Sequence, residues 1–183
     1  MQHKYVTRAF VLGRHPAKEA GASIVLLTAE LGLVRARAEG VRRSGAKLAH
    51  ALQTLSEVDA TLLRGKEGWR LSGAVLIEPW FSTLPPAARL RAGRRASLIL
   101  RLVQGESTDA SLFSIYAEFL GALRSEDESL QDSAELRATL QSLSALGHDA
   151  GAIPTMEAIR ALSKDERRKL IARINQSLTS TGL

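Results

Sequence analysis

The 183-residue chain contains no cysteine, which excludes a disulfide framework and every thiolate metal site. Aromatic residues make up only 4% of it against 45% hydrophobic. Its interior must therefore be filled with Leu, Ile, Val and Ala, which favours helices over a large sheet sandwich. Long apolar runs are missing too. Stretches such as Ile24 to Leu27 fall far short of the ~20 residues that span a bilayer, and no charged segment followed by an apolar one opens the chain. The expectation is a soluble, cytoplasmic protein with no membrane partner, built as one large domain or two small ones.

Acids are scarce in two stretches. The net charge of +6 divides into nine Lys/Arg against three acids over residues 1–50, five against none over 81–105, and one against eight over 106–135. Segregation of this kind suggests a polyanionic partner for the basic blocks. The acidic stretch 126–135 reads as a polar linker.

The first 80 residues carry strand signals. "YVTRAFVLG", "SIVLLTAELG", "LVRARAEG", "VDATLLRGK" and "GWRLSGAVLIEP" are short runs rich in Val, Leu, Thr and aromatics, most of them punctuated by Gly or polar turn residues. Lys66-Glu67-Gly68 suits a hairpin loop, and Ala46–Leu52 reads as a short helix between the third and fourth strands. That order fits a five-stranded OB-fold barrel, with another small meander or an SH3-like barrel as the alternative. Pro85-Pro86 marks a boundary, after which the apolar period becomes helical. The stripes are Leu98, Ile99, Leu102 and Val103; Leu112 to Leu123; Leu136 to Leu146; and Leu170, Ile171, Ile174 and Leu178. Asp132 with Glu135, and Ser163 with Glu166, are spaced as capping boxes. The fold class is thus α+β, with an OB-fold domain over 1–80 and an all-α domain of about five helices over 86–183.

The densest basic cluster lies at Arg35, Arg37, Arg42, Arg43 and Lys47, five cations in thirteen positions beside one acid, Glu39. Strand alternation puts Val34, Ala36 and Ala38 on one face and Arg35 and Arg37 on the other. The bland reading is a solubilising surface. Solubility, however, is served by interspersed signs, and closely spaced cations without acids repel until an anion arrives. A phosphate backbone supplies one, and five contacts give a log–log salt slope of roughly −3.5 on single strands. Arg14, His15 and Lys18 can extend the patch. Stacking platforms are few, and Trp69 and Phe10 suit a core at least as well.

Residues 7 to 74 resemble the N-terminal domain of the RecO family of bacterial recombination-mediator and DNA-repair proteins. Thr28, Leu31, Gly32, Ala38, Gly40, Arg42, Ser44, Leu48 and Leu52 stand where that family's pattern wants them. "SLFSIYAEFLGAL" and "ELRATLQSLSALGHDAG" are similar to its helical domain. The resemblance implies an OB-fold joined to a helical domain and no enzymatic activity or cofactor. It also implies binding of single- and double-stranded DNA, strand annealing, and recombinase loading with RecR and the single-strand-binding protein at the nucleoid. The basic residues of "RARAEGVRRSGAK" would be the DNA-contacting set. Arg89, Arg91, Arg94 and Arg95 would be candidates to receive the acidic C-terminal tail of the single-strand-binding protein. Many members hold zinc on four cysteines after the "LG" helix; here that stretch is "LGHDAGAIPTM", and His148 and Asp149 alone cannot make such a site.

Three alternatives are weighed against this reading. Catalysis has no motif, since His3, His15, His50 and His148 lack ligand or triad spacing and no GxSxG, P-loop or GxGxxG is present. A protein adaptor and an RNA-binding OB module share the electrostatics.

Overall fold

The computed structural model describes residues 3–16, 21–39, 47–103 and 109–182, and Lys47 only in its backbone. Five strands and a short helix come first: β1 (His3–Pro16), β2 (Ala22–Thr28), β3 (Gly32–Ala38), α1 (Lys47–Ala51), β4 (Ser56–Gly65) and β5 (Gly68–Pro79). They close in a ring of order β1-β2-β3-β5-β4. Every pairing is antiparallel except β3 with β5, which run parallel through Ala36–Trp69, Arg37–Arg70 and Ala38–Leu71. A parallel pair needs a crossover rather than a hairpin, and the connection holding α1 supplies it. This is the OB-fold of the expected α+β class.

Alternation dictates the ring's interior. Ala9, Val11, Ile24, Leu26, Val34, Ala36, Val58, Ala60 and Leu62 are buried in one cluster, joined by Ala51 and Leu52 from α1 and its edge. Alanines at three of these strand positions suit a ring only five strands wide. Two turns set the register. The Thr28 hydroxyl donates to Gly32 O at 2.8 Å and accepts from Leu31 N–H at 2.9 Å, while Gly32 takes φ +66°. Gly68, at φ +97°, closes the Lys66-Glu67 hairpin. Both glycines occupy the left-handed region where a Cβ is strained. They account physically for Thr28, Leu31 and Gly32 standing together and for the Lys66-Glu67-Gly68 hairpin signal.

The helices are α2 (Trp80–Thr83), α3 (Pro86–Leu102), α4 (Ser111–Ala122), α5 (Glu128–Ala145), α6 (Met156–Arg160) and α7 (Lys164–Ser180). By packing the chain divides into two units, one within Met1–Leu84 and Val103–Phe113, the other within Pro85–Leu102 and Ser114–Leu183. In the second unit Leu140, Leu143, Ile159, Leu170 and Ile174 form a core cluster with Leu102, Leu136, Leu162 and Leu178 against it. The Ser163–Glu166 capping box opens α7 as spaced.

Four expectations are corrected. Asp132 does not start a helix: α5 begins at Glu128, capped by Asp127, whose carboxylate accepts from Ser129 and Leu130 N–H. The acidic stretch is therefore not a linker, because most of it forms the first turns of α5. The buried stripe of α3 is Ala88, Ala92, Ala96 and Ile99, with Leu98 only half-buried. Ile171 is exposed, because Leu170 and Ile174 already fill the inward positions of α7 one turn apart.

Candidate nucleic-acid interface

On β3, Val34, Ala36 and Ala38 are buried while Arg35 and Arg37 are exposed. Residues directly opposite across a ladder share a face, so the register extends this outer face sideways. Arg37 pairs with Ser23 on β2, which pairs with His15 on β1; on the other side Arg37 pairs with Arg70 on β5. The result is an outward row of His15, Ser23, Arg37 and Arg70, with Arg35 two positions earlier on the same strand. Neighbouring strands lie about 4.8 Å apart, so the Arg37 and Arg70 backbones hold two guanidinium stems side by side. Arg37 Nη1 reaches Glu67 Oε2 at 3.5 Å, with side chains 70% and 88% exposed. A pair so open to water is weak and yields to a competing anion.

Beside this row lies a groove of about 480 Å3 lined by Arg37, Lys66, Trp69 and Arg70 together with Glu39 and Glu67. Trp69 packs partly against the ring's core cluster. The Arg64 guanidinium carbon stands 4.9 Å from its ring centroid, and Tyr5 meets it edge-on at 5.3 Å and 68°.

Among the remaining sequence-predicted cations, Arg14 is exposed on β1, but it pairs with Ile24. That is the row of Ala36, whose side chain faces the ring's interior, so Arg14 stands at the end of an inner row and His15 in the arginine row. Lys47 opens α1, and its side chain lies outside the described atoms. Lys18, Arg42 and Arg43 lie outside the described residues. Arg70 and Lys66 escaped the sequence reading. Alternation in "GWRLS" combined with the β3–β5 parallel pairing of an OB ring is the signal that brings Arg70 beside Arg37.

The α3 arginines do not make a common surface. Arg91 donates to Glu135 Oε2 and Asp132 Oδ1, both at 2.5 Å. Burial alone would lower its pKa, but these two hydrogen bonds and charges raise it above the ordinary value. Arg94 lies 3.6 Å from Glu135, and Arg89 is half-buried. Arg95 is 2% exposed; its guanidinium donates to Thr139 Oγ1 at 3.1 Å and more closely to Ala138 O and Ser142 Oγ. Burial pushes the Arg95 pKa down to about 10. The expectation that Arg91 and Arg95 await an acidic peptide is corrected on physical grounds, because Arg91 already pairs with two carboxylates of α5 and Arg95 is buried, its terminal nitrogens bonded to α5 and its Nε shut away from any acceptor. Farther along, Asp149 takes Arg173 through Nη2 at 2.6 Å and Nε at 3.1 Å. Its pKa is held below the ordinary carboxylate range first by that hydrogen bond. Among the described residues no group of His, Asp and Glu is placed to hold a metal ion, and no helix is long and apolar enough to cross a membrane.

A closed five-stranded ring with its parallel β3–β5 pair, followed by helices, defines an OB-fold protein of α+β class. Residues 1–80 match the family model described as Recombination protein O N terminal. Over these residues, 80 of 183, the chain is similar to the N-terminal domain of the RecO family.

Proposed function

We propose that the chain is a DNA-binding recombination mediator that neutralises the phosphates of two strands while they pair. Arg35, Arg37 and Arg70 engage the backbone of single- and double-stranded DNA from the outer face of the ring. Arg42, Arg43 and Lys47, which follow β3 directly, extend the contact. Promotion of annealing, loading of the recombinase, and the partners RecR and the acidic tail of the single-strand-binding protein belong to this reading. It involves no enzymatic step. The observation that carries it is the outward row in which Arg37 and Arg70 stand on adjacent strands with Arg35 near them. Such a row is costly for a free surface and is relieved by a polyanion. The test is annealing of complementary labelled strands coated with single-strand-binding protein, with and without that protein's acidic tail. Tail-dependent acceleration supports the mediator reading. Salt-sensitive binding to bare DNA without acceleration leaves a binder only, and absence of both refutes it.

A further inference from the structure

We propose that the groove beside Trp69 receives an unpaired base of a DNA strand, so that the OB ring distinguishes single strands from duplex by stacking as well as by charge. The inference rests on the DNA-binding reading above and names the part of the ligand that this groove would hold. Its volume, about 480 Å3, lies within the range of sites that take small planar ligands. Its rim is mixed. Arg37, Lys66 and Arg70 are opposed by Glu39 and Glu67, so the groove is poorly matched to a phosphate alone. Those carboxylates do not repel an uncharged aromatic ring, and the flanking phosphates would fall to Arg37 and Arg70 on the outer row.

Trp69 is the aromatic residue that lines the groove. Trp69 shares its row with Ala36, whose side chain is inside the ring, so one part of the indole rests on the core. It is also met by the Arg64 guanidinium at 4.9 Å and by the Tyr5 ring in a T-shaped contact at 5.3 Å. Arginine stacks on bases as readily as on indole. An entering base would compete with Arg64 for the indole. A base inside duplex has both faces covered and cannot enter unless it first unstacks.

The test compares three labelled probes of equal strand length at one salt concentration: oligo-dT, a fully abasic strand with the same phosphates, and a duplex. The expected result is that oligo-dT binds about ten-fold or more tightly than the abasic strand, as one stacked base allows. Trp69 emission should be quenched by the first probe alone, against the background of Trp80, which is buried at 7% exposure. Trp69→Ala should abolish the preference while leaving abasic binding and its salt slope unchanged, and Trp69→Phe should retain part of it. The parent-protein comparison needs no variant, so a destabilised Trp69→Ala does not decide the matter. Equal binding of oligo-dT and abasic strands overturns the inference and spares the phosphate reading. Binding of none of the probes overturns both.

Discussion

Replacing Arg35, Arg37 and Arg70 together by glutamine tests the interface at the point where its electrostatics can be counted. All three side chains stand on the outer face of the ring, so the replacement removes no core contact, and stability should change by no more than about 0.5 kcal/mol per site. Each phosphate contact on a single strand contributes about 0.7 to the log–log dependence of affinity on salt, and about 0.9 on duplex. Three contacts thus amount to a slope difference of about 2 on single strands and about 2.7 on duplex. Over a fourfold rise in salt, roughly twenty-fold of the parent's loss in single-strand affinity should be absent from the variant. The Arg37–Glu67 pair changes this little, because both side chains are largely exposed and the carboxylate can swing away. Anisotropy titrations of a labelled strand across a salt series provide the readout. A variant that binds less well with the parent's slope would refute the argument, since the lost affinity would not have come from phosphate neutralisation.

Three further outcomes follow from buried polar groups. Glu57 is 4% exposed and accepts from Arg8 and, at 3.1 Å, from the Trp80 indole N–H; Glu57→Ala orphans that buried donor and should lower unfolding free energy by about 1–3 kcal/mol in urea titrations. Burial holds the Arg95 pKa at about 10, well below its ordinary value, so keeping its charge in the interior is costly. Arg95→Met, which preserves volume, should leave stability unchanged or raise it, whereas Arg95→Ala opens a cavity and should lower it by thermal unfolding. Asp149 has a depressed folded-state pKa, so its contribution is present above the ordinary carboxylate value and is lost as pH falls through and below it. Urea midpoints of Asp149→Asn should accordingly show less acid sensitivity than the parent's.

Strand residues were more legible than helix residues, and the reason is periodicity. A strand with one buried face leaves two choices, and "LVRARA" with its small apolar alternates settles which side Arg35 and Arg37 take. On α3 the inward stripe is Ala88, Ala92 and Ala96, too weakly hydrophobic to compete in the sequence with Leu98 and Leu102. Arg91 and Arg95, one turn apart, lie next to that alanine stripe. Whether such arginines reach water depends on the helix opposite, which no local pattern reveals. Arg70 failed to register for a related reason: it becomes Arg37's neighbour only through a parallel pairing between segments more than thirty residues apart.

The same comparison changes what the charge segregation means. As sequence, the basic block at 81–105 looks like a surface awaiting a polyanion, and the acidic stretch 126–135 like a polar linker. In the folded second unit they are in part partners of each other, through Arg91 with Asp132 and Glu135 and through Arg94 with Glu135. Arg95 beside them bonds neutral acceptors on α5 through its two terminal nitrogens. Much of the second unit's charge is therefore spent on holding α3 against α5, and it offers less to an external polyanion than its sequence suggests. The N-terminal block differs, since its exposed Arg35 and Arg37 share the ring's outer face with Arg70 and with the weak Arg37–Glu67 pair. Weakening that pair should help DNA rather than hurt it. Glu67→Gln removes a competing anion from the rim without touching a cation, so single-strand affinity should rise a few-fold at low salt and converge on the parent's at high salt. A fall in affinity would mean that Glu67 positions Arg37 for its ligand instead of competing with it.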